Sequence, residues 1–231
     1  QLLLYIKTFF IKISSLNFSL DVFFMAKKSI DFIFQTLDKL YPNADTELKH
    51  QNGFQLLLAV IMSAQATDKQ VNKVTDKLFK TVFEPIDVLE MGLDKFTKAI
   101  SSINYYKTKA KNIYATCEIL DKNPEILSSD LKSLTTLPGV GIKTAKVVSH
   151  VLFGTKVIAV DTHVHRVSNR LGLVNTKVPE KTSESLEKIV PDKYKSIAHH
   201  GLILFGRYHC TARNPKCQNC PFKDFCKFFN S

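Results

Sequence analysis

Four cysteines fall within 17 residues near the end of the chain, as Cys210-x6-Cys217-x2-Cys220-x5-Cys226, and a fifth, Cys117, stands alone. Evenly scattered thiols would suit disulfides or inert buried side chains. A terminal quartet this tight suits metal ligation in a reducing compartment. It obliges the end of the chain to wrap a compact centre rather than extend a helix. Structural zinc favours two C-x2-C knuckles well apart, and only the central pair has that spacing. A continuous single wrap is a style of iron–sulfur ligation. The spacing therefore favours [4Fe–4S] over zinc and leaves both open.

The rest of the chain reads as all-α. With 231 residues, 45% of them hydrophobic, it has enough apolar material for one large domain or two small ones. Ile30, Ile33, Phe34, Leu37 and Leu40 recur at helical spacing until Tyr41-Pro42-Asn43 stops them. Phe54 to Ser63 is a dense apolar run that suits a buried helix. Asp68 to Phe79 turns Val71, Val74 and Leu78 to one side. Asp87 to Met91 and Leu93 to Ile100 read as two short helices broken at Gly92. Lys107 to Leu120 puts Ala110, Ile113, Cys117 and Leu120 on one stripe, which makes Cys117 a core residue. No β-alternation of useful length and no internal repeat interrupts the pattern.

Residues 1–24 stand apart. They are crowded with Leu, Ile and Phe and interrupted by Lys7, Lys12 and Asp21. The uncharged stretch Ile13 to Leu20 is far shorter than the ~20 residues a bilayer requires. No small-residue cleavage pattern follows, and the Arg content of a transit peptide is missing. We expect Met25-Ala26-Lys27-Lys28 to be the natural start, with 1–24 an extension outside the fold.

The charge is lopsided. Lys and Arg number 32 against 21 Asp and Glu, for a net +11. Such an excess implies a polyanionic partner, nucleic acid before an anionic membrane face. Only Arg166, Arg170, Arg207 and Arg213 are arginines, so the bidentate phosphate clamps are expected in the last third of the chain.

Two segments carry chemistry. Leu137-Pro138-Gly139-Val140-Gly141-Ile142-Lys143-Thr144-Ala145 lies between two helical patterns. Its two glycines are expected to let the backbone turn tightly and approach a surface. The helix that follows would offer free N–H groups to a phosphate. Lys143 would sit beside that helix N-terminus, where the dipole disfavours its charge. Burial in a cleft would disfavour it further. A neutral amine there is a nucleophile for a sugar carbon; a phosphate-binding lysine is the plainer alternative. Further on, Val157-Ile158-Ala159-Val160 runs into Asp161-Thr162-His163-Val164-His165. Asp161 is placed to cap the next helix. His163 and His165 lack a third metal partner, so one should face DNA or pack locally.

In this order the hairpin, the Val160-Asp161-Thr162-His163 segment and the cysteine quartet resemble the endonuclease III family of DNA glycosylases, in the helix-hairpin-helix-Gly/Pro-Asp superfamily. The resemblance covers about Met25 to Cys226 and includes Ser63-Ala64-Gln65-Ala66-Thr67-Asp68. It implies two helical domains flanking a DNA-binding cleft. A six-helix barrel would span 46–155, and a cluster domain would join 25–45 to 156–231. It further implies a monomer acting on duplex DNA with oxidised pyrimidines or abasic sites, with Lys143 as nucleophile and Asp161 as essential carboxylate. Cys210, Cys217, Cys220 and Cys226 would ligate a [4Fe–4S] cluster. Leu137, Gly139, Val140, Gly141, Thr144 and His163 would contact DNA, Gln65 would fill the place of the flipped nucleotide, and Tyr105 would wedge the opposite strand. Excision and β-elimination through a Schiff base would follow. Cytoplasmic residence is expected, or an organelle or nucleus in a eukaryote, with no membrane partner.

The chain departs from the family at Asn104-Tyr105, where relatives often carry Gly-Leu or Gly-Phe, and at Ile142, where they often carry Arg or Lys. Adenine glycosylases of the superfamily share the hairpin, aspartate and cluster but lack the lysine, so Lys143 argues against that class. A non-catalytic DNA-binding protein using the same scaffold is the other alternative.

Overall fold

The computed structural model describes residues 30–42 and 44–231. The segment 1–24 and the start at Met25 lie outside the described residues. Eleven α-helices, several short 3-10 turns and no strand occur among the described residues. No helix among them is long and apolar enough to cross a membrane.

Helix α1 covers residues 30–40, and its apolar stripe buries Ile33, Phe34 and Leu37. The next helix, α2 (Gly53–Ser63), starts where Asn52 accepts the Gln55 N–H at 2.9 Å. Phe54 through Met62 are all buried, as a helix apolar on every side must be. The one polar member, Gln55, is satisfied: its amide donates to Val82 O at 2.8 Å, and its oxygen accepts from Gln51 N at 2.8 Å. Around α2 pack α3 (Asp68–Leu78), α4 (Pro85–Met91), α5 (Leu93–Ala99), α6 (Tyr106–Lys122), α7 (Leu131–Thr135) and α8 (Ile142–Phe153). Gly92, at φ +78°, breaks α4 from α5.

A second core gathers α1, α9 (Thr162–Arg170), α10 (Pro179–Ile189), α11 (Lys195–Tyr208) and the cysteine loop. Phe205 and Phe222 meet edge to face there at 5.1 Å. Gly206 lets α11 approach α9 closely, since a Cβ would lie 2.9 Å from His163 Cβ. The cores are tied across their boundary. Lys146 on α8 bonds Ser183 and Glu187 on α10, each at 2.7 Å. Arg207 on α11 bonds Asp68 at 2.7 Å and also Glu47.

Candidate active site

The hairpin joins α7 to α8. Asp130 caps α7 through Lys132 N and Ser133 N. Thr116 Oγ1 on α6 donates to Pro138 O at 2.9 Å and anchors the turn. Gly139 is required twice over: its φ is +80°, and a Cβ would lie 3.0 Å from Asn112 Cβ. Gly141 is different. Its φ is −82° with open space around it, so only one of the two glycines makes the turn. It provides no side chain to cap α8, so first-turn N–H groups there have no side-chain acceptor. Leu137 and Val140 bury their side chains in the first core. At Leu137 and Val140 only the main chain is therefore free to meet a ligand.

Between the two cores lies a cavity of about 690 Å³. Gln65, Lys143, Thr144, Asp161 and His163 all line it. Lys143 is the second residue of α8 and is exposed. The burial anticipated for it is not supplied by the protein alone, because the cavity opens to solvent. Asp161 caps α9, with Oδ1 accepting His163 N at 2.9 Å and Val164 N at 2.8 Å; Oδ2 takes no part in the cap. The strand-like approach to Asp161 is held by side chains. Glu187 accepts the Ile158 N–H, Ser183 donates to Ile158 O, and His199 Nδ1 donates to Ala159 O at 3.0 Å. Of the two histidines after Asp161, His163 lines the cavity with Nδ1 3.2 Å from Arg166 Nη2. His165 packs locally, 2.6 Å from Thr182 Oγ1. Tyr105 lies outside this lining, strongly exposed at the N-terminus of α6.

The arginines lie in the last third of the chain, and most of them are bonded to the protein itself. Arg166 donates to Gly206 O and Cys210 O. Arg170 donates to Thr211 O and Ala212 O, stacks on Phe228 and reaches Cys210 Sγ at 3.5 Å. Arg207 joins Asp68 and Glu47, and Tyr208 OH donates to Glu47 at 3.0 Å. Burial works against the Arg207 charge, but Asp68 and Glu47 outweigh it and raise its pKa. Three of the four expected phosphate clamps are thus committed to protein partners; Arg213 is exposed.

Two further features were missed. Lys109 is buried, and its ammonium donates to Met62 O at 2.8 Å and Ala64 O at 2.5 Å, closing the C-terminus of α2. Burial lowers its pKa. Its position on the stripe of Ile113, Thr116 and Leu120 was the available signal. His150, His199 and His200 cluster at one wall of the cavity, which His199 and His200 line, with ring centroids 4.5 to 5.5 Å apart. Burial holds His199 and His200 well down, and neither His200 ring nitrogen has a hydrogen-bond partner. Cys117 is fully buried, and burial, then Asp121 and Glu118, push its thiol up to about 12, as an inert core thiol requires.

All four terminal cysteines line one small apolar cavity with Leu171, Phe205 and Phe228. Tetrahedral zinc would bring its thiolates within about 3.8 Å of one another. Among the described residues no three such side chains are gathered closely enough for a single ion. The four thiols instead share one hollow, a donor set of the kind that iron–sulfur centres use. The Arg170 guanidinium beside Cys210 Sγ suits its thiolate charge.

Residues 58–192 match the HhH-GPD superfamily base excision DNA repair protein, and residues 210–226 the iron–sulfur binding domain of endonuclease III. Endonuclease III of Rickettsia conorii is 47% identical over 206 residues, covering 89% of this chain and 98% of that one. The chain belongs to the endonuclease III family. Endonuclease III of Escherichia coli is 46% identical over 189 residues, 81% of this chain and 89% of its own. A solved structure of a trapped endonuclease III–DNA covalent intermediate superposes with a TM-score of 0.83 at 43% identity, covering 88% of this chain and 97% of that one. The endonuclease III cofactor is a [4Fe–4S] cluster, and the matched iron–sulfur segment, 210–226, runs from the first to the last of the four cysteines.

Proposed function

We propose that the chain is a bifunctional DNA glycosylase and AP lyase of base excision repair, removing oxidised pyrimidines from duplex DNA. One observation carries the site assignment: Lys143 and Asp161, one at the start of α8 and the other at the start of α9, line the same cavity. A damaged nucleotide must leave the stack to reach it, at a cost of a few kcal/mol. The Lys143 amine bonds to C1′ as the N-glycosidic bond breaks. The electron pair leaves with the base, which takes up a proton. Asp161 assists loss of the amine proton and stabilises positive charge on the sugar. The nitrogen lone pair then opens the C1′–O4′ bond, O4′ takes up the proton lost by the amine, and a protonated Schiff base results. Loss of a C2′ proton then expels the 3′ phosphate, and water releases Lys143.

Main-chain groups from Leu137, Gly139, Val140 and Gly141, with Thr144 and His163, hold the strand that carries the lesion. Gln65 fills the vacated place and Tyr105 enters beside the opposite base. Cys210, Cys217, Cys220 and Cys226 would hold the cluster, whose contribution is to order the last loop. A barrel domain would span 46–155 and a cluster domain 25–45 with 156–231, a division that the two separate buried cores support. The enzyme acts as a monomer in a reducing compartment, where those thiols remain free for iron.

Borohydride reduces the imine to a stable amine. Wild-type protein should therefore be captured covalently on abasic duplex, and Lys143→Ala should not. No adduct with wild type would defeat the reading and favour a non-catalytic DNA-binding protein.

A further inference from the structure

Three non-glycine residues among those described have positive φ: Gln65 at 54°, Tyr105 at 58° and Asn214 at 50°. The left-handed conformation costs a residue with a side chain about 1–2 kcal/mol, so something must hold it. Two of the three lie 40 positions apart in sequence, yet they are joined by one side chain. Asn104 Nδ2, in the residue before Tyr105, donates to the backbone carbonyl of Gln65 at 2.7 Å. Two more bonds run between the same loops. Gln70 Nε2 donates to Ser102 O at 2.5 Å, and Lys109 Nζ donates to Ala64 O at 2.5 Å. Lys109 and Gln70 sit on α6 and α3, so they fix each loop to a helix of the other's neighbourhood. Asn104 alone ties the two strained residues to each other.

We infer that Asn104 is a positioning residue that locks Gln65 and Tyr105 into one two-pronged wedge, so that both enter the duplex together. This deepens the proposed function and rests on the roles given there to Gln65 and Tyr105. A wedge of fixed span fills the vacated place and presses on the opposite base in one motion. Two loose prongs would have to be ordered separately during flipping, and that ordering would slow it. Asn104 is exposed and touches neither Lys143 nor Asp161 in the bonds it makes. Its effect should therefore fall on flipping and on the choice of opposite base, not on the bond-making steps.

The test uses the full, cluster-loaded chain and duplexes with 2-aminopurine beside an oxidised pyrimidine. Stopped-flow fluorescence reads flipping. Asn104→Ala should slow it about 3- to 10-fold, the range expected for one lost hydrogen bond. It should also narrow the ratio of excision rates across the four opposite bases. Borohydride capture on single-stranded abasic DNA, which has no opposite base, should be unchanged. Asn104→Gln, which keeps the donor, should recover part of the flipping rate. In a Gln65→Ala, Tyr105→Ala background, Asn104→Ala should add nothing, because the prongs it aligns are gone. Wild-type flipping and opposite-base ratios in Asn104→Ala would overturn the inference while leaving the glycosylase–lyase reading intact. An equal loss on single-stranded abasic DNA would also overturn it. Absence of any wild-type adduct would remove the underlying function instead.

Discussion

Arg207 offers a direct choice between two jobs for a basic residue in the cavity between the two cores. The guanidinium lies between Asp68 and Glu47, with Asp68 at 2.7 Å, and its side chain is 27% exposed. Arg207→Ala leaves two carboxylates facing each other without their cation and frees α11 from α3. Fully exposed pairs contribute about 0–1 kcal/mol, and breaking a buried pair costs about 3–5 kcal/mol. A half-buried triad lies between, so the loss should be about 2 kcal/mol. For a chain of this size that is a fall in Tm of roughly 4–8 °C. Arg207→Lys should recover only part of it, because one ammonium cannot replace the guanidinium fork. Urea denaturation and thermal melting measure this side of the prediction. The other side is the salt dependence of binding to abasic duplex. A true phosphate contact contributes about 0.9 to the slope of log K against log salt. Because Arg207 is already paired, Arg207→Ala should leave that slope unchanged. A slope shallower by about 0.9 with stability intact would refute the assignment and return Arg207 to the DNA.

Asp161→Asn should separate capping from chemistry. Asparagine caps a helix as well as aspartate does, so stability should stay within about 0.5 kcal/mol while base excision falls by orders of magnitude; a variant that loses stability along with activity would argue that Asp161 only caps. The histidine cluster should make the fold acid-sensitive. Burial, then His150, holds His200 down at about 4, with Asp45 pulling the other way, against an ordinary value of 6.5. Between those two values the unfolded chain takes the proton and the folded chain does not. Stability should therefore fall as pH drops from about 6.5 to 4, by up to ~3 kcal/mol from this residue. His200→Gln should flatten that limb in denaturation curves measured across the range, and an unaltered limb would place the sensitivity elsewhere.

Much of this was legible in the chain because local rules and tertiary needs agreed. Helices α1 to α6 follow their apolar spacing to within a residue or two, and Asp161 caps the helix it was expected to cap. The cysteine spacing anticipated that all four thiols would face one hollow. Helix α11 was obscure because Gly201 and Gly206 interrupt its stripe where Leu37 and His163 of other helices approach. The arginines misled because sequence shows charge without its neighbours. Glu47 and Asp68 are 160 and 139 residues from Arg207, a pairing that no local pattern contains. The strained backbone at Gln65 and Tyr105 was equally hidden, since neither residue type announces a left-handed conformation.

The two cores draw on the chain in different ways, and that sets the order in which they form. Every buried residue of the first lies between Leu48 and Val148. The second joins Ile33, Phe34 and Leu37 to a set that ends only with Phe222 and Cys226. During synthesis, which proceeds from the N-terminus with domains folding as units, the first core can close once Val148 has emerged, before most of the second core has been made. Helix α1 emerges before all of it, yet its partners are the last to appear. It must wait, apolar face uncovered, until residues as late as Phe222 and Cys226 have emerged, and over that interval a chaperone could cover it.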